Sequence, residues 1–537
     1  MSLPTLRPLG CLDDIMPDID LPLILTFYCP SDHQSVTKAV LSCSFTSLID
    51  RNPWLRGHIR SNVKELEGKY RPGTKFLSIP SQNVDSVSDP CVGTKEKQAQ
   101  IEFQDLSQHV LYFSTSYPEL VAQNMPSRYL NAELLVPSRN TPDPNVKLAL
   151  KAKVTFIRNG GFVVLSTSHA LMDATSLSEV FGAWAAAARG ESAPPLSQGP
   201  ILSAELGLRD FYERGELQNE TRGQNSSSAA SALYADLKMQ KKLWWMLGLD
   251  YRPKDHSSAI IAQSIPSKET LTKIFKINRD DLELLKKDCS QTETSTLNGA
   301  IGDSDGNEEM YKTKGAWIST NDGLSALLWR CIVRARIRTP ELSSRTSSLM
   351  HAMNIRSSLA LTSSSEQPPP PSATTRLANI VLYSINTSSI HNLTLSNPST
   401  LTIPALASTA LSIRSAIHTH TDPELITRAL QLAATVPDVS RLGLVYPTWL
   451  EHDVVISSLL RLSLYSTGWG NSFGKPESGV FSARVPDFVR WPEKVFEGIT
   501  FVMPRQRDGS VEVVVTMVVK DMEILEKDAE WRRYVKG

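Results

Sequence analysis

The chain has 537 residues, more than one hydrophobic core usually accommodates, so two domains are the natural expectation. Lysine and arginine together number 56, and so do aspartate and glutamate. The resulting net charge of zero argues against a nucleic-acid-binding protein and against a protein held to membranes by charge. Hydrophobic residues make up 41% of the chain, which is typical of globular rather than disordered proteins.

The cysteines and the N-terminus favour a soluble, cytoplasmic protein, which we expect to be a monomer. None of the six cysteines forms a CxxC pair, so we expect reduced thiols rather than a disulfide framework. The N-terminus lacks a basic segment followed by an apolar stretch, so no signal peptide is predicted. No early apolar run is long enough to span a membrane.

The first predicted elements are a strand at 21–29 and a helix at 33–50. Five residues fall roughly on one face of this helix and are predicted to be buried: Val36, Ala39, Val40, Cys43 and Leu48. Residues 148–157 alternate between apolar and polar, and residues 161–167 follow a strong turn signal, Asn159-Gly160. These two segments therefore form a predicted β-hairpin.

The stretch after the hairpin carries the one constellation that resembles catalytic chemistry. His169 comes just past the second strand, and Asp173 follows four residues later. An amphipathic helix comes next, with Ser176 as the predicted N-cap and Glu179 completing a capping box. Gly190 is placed to end that helix. The order strand, turn, helix would hold His169 rigidly at the end of a buried strand.

The second half shows the same mixture of helices and strands. The predicted helices lie at 230–247, from Thr320-Asn321-Asp322 onward, at 404–420, at 423–435 and at 521–527. Residues 499–503 and 511–519 form a predicted hairpin through Asp508-Gly509. Three polar stretches are interpreted as flexible surface insertions: 219–232, 291–309 and 362–375.

A neutral imidazole suits general-base catalysis, because its pKa lies near working pH and it accepts a proton from a hydroxyl or amine that attacks a carbonyl. The pattern HxxxD is weakly specific, and a second match runs from His418 to Asp422. His418 lies at the end of a predicted helix, and Asp422 precedes Pro423 at the start of the next, which is typical of a helix cap. The setting of His169 favours it as the reactive histidine.

Other catalytic motifs are missing. The glycine-rich loop at 468–476 lacks the GxxxxGK[ST] and GxGxxG patterns of nucleotide-binding sites. The chain also has no HExxH of a zinc protease. Trp184 and Trp329 lie on apolar helix faces and are predicted to be core residues.

Several segments together resemble the BAHD acyltransferases, in particular the fungal branch that the trichothecene 3-O-acetyltransferases typify. Residues 169–173 (HALMD) resemble the HxxxD signature of this family. Further matches occur in the family's order, at residues 6–17, at 319–330 (STNDGLSALLWR), at 354–359 (NIRSSL), and at 498–504 (GITFVMP) with Asp521-Met522. Ordered matches of this kind are far more specific than HxxxD alone.

The resemblance implies an α/β fold of two similar domains, each like chloramphenicol acetyltransferase, with an active-site channel between them. On this basis we expect an N-terminal domain at 1–200, a crossover segment at 201–260 and a C-terminal domain at 261–537. An acyl-CoA, most of all acetyl-CoA, would enter the channel from one face, and a small-molecule alcohol or amine from the other.

The resemblance also implies roles for individual residues. His169 would deprotonate the acceptor, which would attack the thioester directly, without an acyl-enzyme and without a metal. Asp173 would be structural and would pair with an arginine, for which Arg356 is the candidate.

The second family signature, DFGWGKP, is changed in this chain. Its aspartate position falls on Gly468, and the segment has two extra residues, although the loop itself is kept. Leu459 stands where many relatives have tryptophan. The candidates that this comparison suggests for the channel or its loop are Ser457, Ser458, Trp469, Gly470, Gly474 and Lys475.

Two alternatives remain on the same scaffold. One is N-acyl transfer or condensation chemistry as in nonribosomal peptide synthesis, where a doubled histidine, HHxxxDG, is usual; here Ser168 precedes His169 and Ala174 follows Asp173. The other is a binding protein without catalytic activity, which the loss of the carboxylate at Gly468 suggests.

Overall fold

A computed structural model describes most of the chain. The described residues are 5–17, 19–61, 63, 69–80, 100–192, 194–198, 225–251, 269–290, 317–337, 345–360, 376–394, 403–444, 452–474, 484–493 and 498–536.

Strands and helices alternate along the described chain. The strands are β1 (Thr5–Pro8), β2 (Asp20–Tyr28), β3 (His58–Arg60), β4 (Phe76–Ile79), β5 (Ile101–Asp105), β6 (Val146–Leu148), β7 (Leu150–Ile157), β8 (Gly160–Ser168), β9 (Ser197–Gln198), β10 (Leu249–Tyr251), β11 (Thr270–Ile277), β12 (Thr346–Asn354), β13 (Arg376–Leu377), β14 (Val381–Ser389), β15 (Leu442–Leu444), β16 (Val454–Ser458), β17 (Phe488–Arg490), β18 (Ile499–Val502) and β19 (Val511–Val518). The helices are α1 (Cys11–Ile15), α2 (Gln34–Arg51), α3 (Tyr117–Ala122), α4 (Ala132–Leu135), α5 (Ala174–Ala188), α6 (Asn225–Leu237), α7 (Lys241–Leu247), α8 (Arg279–Ser290), α9 (Thr320–Arg336), α10 (Arg356–Ala360), α11 (Ile390–Thr394), α12 (Ile403–His420), α13 (Pro423–Thr435), α14 (Val519–Lys527) and α15 (Ala529–Tyr534).

Two large mixed sheets organise the described part of the chain. The first has five strands in the order β17-β2-β8-β7-β5, and the second has six in the order β11-β19-β18-β16-β12-β14. Strand β17 comes from the second half of the chain but pairs antiparallel with β2 of the first sheet. The chain is thus a mixed α/β protein, as predicted, and its two halves share a sheet. The domain boundaries at 200 and 260 stay a prediction.

The central strand of the first sheet is buried on both faces. All nine residues of β8 are buried, because Val163 and Leu165 pack into the core that includes α2 and α5, while Phe162 and Val164 face the segment around Tyr112. A strand covered on both faces has a nearly continuous apolar sequence, as β8 does. The residue that follows such a strand is held in a fixed place.

The hairpin of β7 and β8 is confirmed, with the turn one residue earlier than predicted. Ile157 pairs with Gly160, so the two turn residues are Arg158 and Asn159. Asn159 has φ +60°, a left-handed conformation that asparagine tolerates better than most residues. The second hairpin, β18 with β19, is confirmed as well.

The predicted buried face of α2 is confirmed at Leu48 and wrong at the other four positions. Val36 is 49% exposed, whereas the buried residues are Thr37, Leu41, Ser44, Phe45, Leu48 and Ile49. Leu41, Phe45 and Leu48 follow the spacing of four and three that places side chains on one helix face. Val36 lies on a different face of the helix from Leu48, so its apolar side chain does not place it in the core.

The predicted helix at 230–247 is in fact two helices, α6 and α7. Helix α7 ends at Gly248, which has φ +69°, the left-handed conformation that glycine supplies at helix ends. Residues 225–232 were predicted to be flexible but belong to α6. The predicted insertions at 291–309 and 362–375 lie outside the described residues.

The cysteine prediction holds for four of the six residues. Cys11, Cys29, Cys289 and Cys331 are free and buried, whereas Cys43 is disulfide-bonded, which corrects the prediction at that position. Within the described ranges, no helix has both the length and the apolar character that crossing a bilayer requires.

Candidate active site

Strand β8 positions His169. The backbone amide of His169 donates to the carbonyl of Ile19 at 2.9 Å, which extends the pairing of β8 with β2 by one residue. The chain then turns sharply, with the amide of Leu171 donating to the carbonyl of Ser168 at 2.9 Å. The side chain of His169 is half-buried, so the imidazole is fixed at its base and still reachable.

Asp173, rather than Ser176, is the N-cap of α5. Its Oδ1 accepts a hydrogen bond from the amide of Ser176 at 2.9 Å, and α5 begins at Ala174. Aspartate and serine are both good N-caps, so the local sequence allowed either start. The hydroxyl of Ser176 instead donates to the carbonyl of Ala378 at 2.9 Å, a partner that is distant in sequence. Glu179, the other half of the predicted capping box, is exposed.

Asp173 forms an ion pair with Arg356. Nη1 of Arg356 lies 2.9 Å from Oδ2 and Nη2 lies 3.0 Å from Oδ1, a two-point contact between guanidinium and carboxylate. The amide of Ile380 also donates to Oδ2, at 3.0 Å. Together with the cap to Ser176, these bonds occupy four acceptor positions of the carboxylate, so it holds the turn and leaves no acceptor for the imidazole.

Asn379 is the residue that contacts the imidazole. Its Oδ1 lies 3.2 Å from Nδ1 of His169, and its Nδ2 donates to the backbone carbonyl of His169 at 2.7 Å. Asn379 is 1% exposed. A segment 210 residues further along the chain therefore holds both the ring and the backbone of His169.

The surroundings of His169 favour the neutral form of the imidazole. Burial lowers the pKa of His169 below its usual value, and this exceeds the opposing effects of its own backbone carbonyl, of Asp173 and of Asn379. A neutral imidazole at physiological pH has a free lone pair on one ring nitrogen. Such a ring is a competent general base.

A second carboxyl group, that of Asp13, stands behind Asn379. Oδ1 of Asp13 accepts from both the amide and the Nδ2 of Asn379, each at 2.8 Å. Burial raises the pKa of Asp13 to about 7, although the hydrogen bonds from Asn379 act in the opposite direction. Asp13 lies in α1, so the N-terminal segment is part of the support of the site.

The glycine-rich loop lies at the other end of α5. The carbonyl of Gly468 accepts a hydrogen bond from Arg189, which follows the last residue of α5. Helix α5 has 15 residues and is therefore roughly 22 Å long. The loop is thus separated from the His169 turn by the length of a helix.

Aromatic packing anchors this loop. Trp469 is fully buried, with its ring centroid 5.3 Å from that of Trp184 and 5.6 Å from that of Phe27. Gly470 and Gly474 have φ +60° and +81°, so they make the left-handed turns of the loop. Trp469, a candidate for the channel or its loop, lies in this loop with its side chain in the core. Lys475 lies outside the described residues.

Restoring the family carboxylate is a direct test of this loop. A Cβ at Gly468 would lie 3.9 Å from Nη1 of Arg189, in ordinary contact. We expect Gly468→Asp to pair with Arg189 and to raise the free energy of unfolding by up to about 1 kcal/mol, the range of a partly exposed ion pair. The control is Gly470→Asp, whose Cβ would meet the Cγ of Arg189 at 3.1 Å at a positive φ, and which we expect to destabilise the protein. Equal effects of both changes in denaturant unfolding would contradict this account.

Ser457 and Ser458 lie on opposite faces of β16, because side chains alternate along a strand. The hydroxyl of Ser458 donates to Oδ1 of Asn321 at 2.7 Å, and Nδ2 of Asn321 lies 2.8 Å from Nε2 of His351. Ser458 therefore belongs to a polar network under α9. Ser457 pairs with Phe501, whose side chain packs into the core of the first sheet, so Ser457 lies on the face turned towards that sheet.

We expect His351 to make the stability of the protein depend on pH. Burial lowers its pKa from 6.5 to about 4, so the folded chain binds one proton fewer than the unfolded chain between these values. We expect this histidine to reduce the free energy of unfolding by up to about 3 kcal/mol as the pH falls from 6.5 to 4. His351→Gln keeps an acceptor for Asn321 but cannot take up the proton, so the free energy of unfolding should fall less between pH 7 and pH 4.5 than in the wild type. Denaturant unfolding at the two pH values measures this difference, and an equal fall in wild type and variant would contradict the role of His351.

The second HxxxD match is a helix cap, as predicted. Oδ1 of Asp422 accepts from the amide of Leu425 at 2.9 Å and caps α13. His418 is exposed, near the end of α12. Trp184 and Trp329 are fully buried, which confirms both as core residues. Across the described segments, no group of three or more histidine, cysteine, aspartate or glutamate side chains could hold a metal ion.

A known protein family matches most of the chain. The model of the Transferase family matches residues 120–532. The chain belongs to this family, the BAHD-type acyltransferases.

Several curated relatives of this BAHD-type transferase are O-acetyltransferases. It is 24% identical to the eremophilane O-acetyltransferase prx11 of Penicillium rubens over 98% of both chains. It is 26% identical to the trichothecene 3-O-acetyltransferase of Fusarium sporotrichioides over 41% of this chain and 42% of that protein. The transferase is therefore an enzyme that transfers acyl groups, as predicted.

The fold of the transferase is that of solved family members. The structure of Fusarium sporotrichioides TRI101 complexed with coenzyme A and T-2 matches with a TM-score of 0.64, covering 99% of both chains at 17% identity. Vinorine synthase matches with a TM-score of 0.53, covering 98% of this chain and 93% of that one at 16% identity. The predicted two-domain acyltransferase fold is thereby confirmed.

Sequence reasoning missed Asn379 in this BAHD-type transferase. The residue interrupts the apolar run Leu377-Ala378-Asn379-Ile380-Val381, and a polar side chain inside such a run needs specific buried partners. The interruption was a usable signal. The run does not reveal the partners of Asn379, because Asp13 and His169 are distant from it in the sequence.

Proposed function

We propose that the protein is an acyl-CoA-dependent O-acyltransferase that moves an acetyl group from acetyl-CoA to a hydroxyl of a small secondary metabolite. The observation that carries this proposal is the imidazole of His169, half-buried and with a lowered pKa, with Nδ1 beside Asn379 and Nε2 left to act. The names of the relatives, O-acetyltransferases, support a hydroxyl acceptor and an acetyl donor.

The proposed reaction is a direct transfer. Nε2 of His169 takes the proton of the acceptor hydroxyl while the oxygen attacks the thioester carbonyl carbon. The carbon–sulfur bond then breaks, and the imidazolium returns the proton to the departing thiolate, so the products are the ester and free coenzyme A. One neutral base that takes and then returns one proton is sufficient for this sequence.

Asp173 and Arg356 have a supporting role in this proposal. Their ion pair joins the turn after β8 to the segment at 376–380, so the two parts of the chain that meet at the imidazole are tied together. The alternative of a non-catalytic homologue was suggested by the missing carboxylate at Gly468. Arg189 and aromatic packing hold this loop without a carboxylate, which supports the catalytic proposal over that alternative.

The experiment is turnover of acetyl-CoA with a panel of alcohols and the matching amines. We expect free thiol to be released only with an acceptor present, and the acetylated alcohol to be found by mass spectrometry. Intact-protein mass after incubation with acetyl-CoA alone should show no added acetyl group, because no acyl-enzyme forms. Acetylation of amines alone would overturn the assignment of O-acyl transfer, and a stable acetyl-enzyme would overturn direct attack.

Chelators should not affect this reaction. The proposed mechanism uses an imidazole and a thioester, so we expect the same kcat with and without excess EDTA. A loss of activity that added zinc or magnesium restores would contradict the proposed mechanism.

A further inference from the structure

A strip of half-buried side chains crosses the second sheet on the face turned towards the first sheet. Tyr383 of β14 pairs with Ala352 of β12. Ser457 of β16 lies beside Ala352, because Met350 and Val455 pair two residues earlier on these parallel strands. Residues that pair across strands share a face, so Tyr383, Ala352 and Ser457 all lie on the face turned towards the first sheet. All three are half-buried, so this row is reachable from outside the chain.

The strip begins near the turn that carries His169. The amide of Ile380, directly before β14, donates to Oδ2 of Asp173 at 3.0 Å. Tyr383 comes three residues after Ile380, which is about 10 Å along an extended chain. A small molecule of ordinary length therefore reaches from the His169 turn to Tyr383.

The face beyond Tyr383 is apolar. A buried cluster continues the face on the neighbouring strands, and its members are Met350, Ile385 and Val455. Trp245 of α7 packs against this cluster together with Tyr383. Among the described residues the cluster contains no charged side chain, and Lys241 lies at its rim, exposed, with Nζ 4.8 Å from the centroid of the Trp245 ring. An apolar molecule binds to such a face without losing hydrogen bonds, whereas the hydroxyls of a sugar would lose their water partners.

The ring of Tyr383 is held in place, but its hydroxyl has no partner. A Cβ on Gly248 would lie 2.9 Å from both Cδ2 and Cε2 of Tyr383, so the ring rests directly on the backbone of this glycine. No described residue forms a hydrogen bond with the Tyr383 hydroxyl. Burial raises the pKa of Tyr383, so the phenol keeps its hydrogen at physiological pH and is able to donate. Since buried tyrosine hydroxyls usually have a partner, this one indicates a partner from outside the chain.

We propose that Tyr383 is a specificity residue, which donates a hydrogen bond to a second oxygen of the acceptor, remote from the hydroxyl that is acetylated. The apolar cluster and Trp245 then receive the body of the molecule. The acceptor class is an apolar alcohol that is long enough to reach from His169 to Tyr383, rather than a sugar or another hydroxyl-rich molecule. The role in acetyl transfer rests on the proposed function, whereas binding is measured without turnover.

The pantetheine arm of coenzyme A is the other candidate occupant of this strip. It carries two amide groups, and each of them needs a donor and an acceptor. An apolar cluster with a single phenol hydroxyl leaves most of these groups without partners, at a cost in free energy for each. The chemistry of the strip therefore favours the acceptor.

Two steroid alcohols that differ in one oxygen test the proposal. Androsterone has a hydroxyl at one end and a ketone at the other, and its deoxy analogue lacks the ketone. Calorimetry on the protein saturated with coenzyme A measures binding without reaction, because no acetyl group is present. We expect androsterone to bind about fivefold more tightly than the analogue, the usual effect of one hydrogen bond, and methyl glucoside not to bind. Binding of neither steroid, equal binding of both, or displacement of androsterone by coenzyme A would overturn the proposal.

Tyr383→Phe removes only the hydroxyl. We expect this variant to bind the two steroids equally and to be as stable as the wild type in denaturant unfolding, since no protein group loses a partner. Tyr234→Phe is the matched control, because Tyr234 is also half-buried with a pKa raised by burial, but it lies in α6 and packs against a different core cluster. The control should keep the fivefold preference. A preference that survives in Tyr383→Phe, or that is lost in both variants, would overturn the role of Tyr383.

Turnover separates this proposal from the proposed function. With acetyl-CoA as donor, Tyr383→Phe should raise the KM for androsterone about fivefold and leave the KM for the deoxy analogue and for acetyl-CoA unchanged. Steroid binding that depends on Tyr383, without acetyl transfer to any alcohol, would support this binding site and contradict the proposed function. Acetylation of methyl glucoside but of neither steroid would support the proposed function and overturn the assignment of an apolar acceptor.

Discussion

His169→Ala is expected to lower kcat by about 10²- to 10⁴-fold, the usual contribution of a positioned general base. The fold should survive, because backbone hydrogen bonds and Asp173 hold the turn and remain in the variant. The half-buried ring that is removed contributes a hydrogen bond to Asn379. Release of free thiol from acetyl-CoA measures the rate, and thermal unfolding monitors the fold. Binding of acetyl-CoA should change little.

The matched control for this variant is His418→Ala. His418 belongs to the second HxxxD match, but it is exposed, and its aspartate serves as a helix cap. We expect kcat to stay within about twofold of the wild type, as for most surface changes away from a site. Equal thiol release by wild type and His169→Ala would show that His169 is not the base, and a large loss in His418→Ala would direct the search to the end of α12.

Asp173→Asn is expected to lower the free energy of unfolding by about 3 kcal/mol, because it leaves the guanidinium of Arg356 without its partner at a largely buried position. Activity should fall as well, since the ion pair ties the turn of His169 to the segment that carries Asn379. The measurements are denaturant unfolding and the kcat of the folded protein. A variant as stable and as active as the wild type would refute the structural role.

A second ion pair distinguishes loss of stability from loss of the site. Asp288, in α8, is 3% exposed and binds Arg533 at 2.8 Å, far along the chain from the His169 turn. Asp288→Asn should cost a similar free energy of unfolding but should leave the kcat of the folded protein unchanged. If both aspartate variants lower kcat equally, then Asp173 acts through stability alone.

Much of the fold could be predicted from the sequence, because the signals are local. The hairpin of β7 and β8, the start of α9 and the helices α12 and α13 follow from turn residues, caps and periodicity within a few positions. The errors come from competition between equally good local choices. Asp173 and Ser176 are both suitable caps, and only the partner at Ala378 decides that Ser176 turns away from its own helix.

The candidate site was predictable only in part. His169 and Asp173 share a short motif, so one stretch of sequence names both. Asn379 reaches the imidazole from a segment 210 positions away, and Asp13, which binds Asn379, lies 156 positions before His169; no periodicity or spacing encodes such a meeting. Trp469 is a further example. The sequence of a glycine-rich loop does not show whether its tryptophan lines a channel or packs in the core, and in this protein Trp469 is buried.

The pairing of β17 with β2 has a consequence for synthesis of the chain. Tyr28, at the end of β2, bonds to Asp487, which is 459 residues away. At ordinary translation rates of about 5 to 20 residues per second, β17 is therefore synthesised tens of seconds after β2, and this edge of β2 stays unpaired in the meantime. During that time an apolar strand with unpaired backbone groups is open to pairing with other chains, a known route to aggregation. We therefore expect fragments that end before residue 484, which lack β17, to leave this edge of β2 unpaired and to aggregate more readily than the full chain.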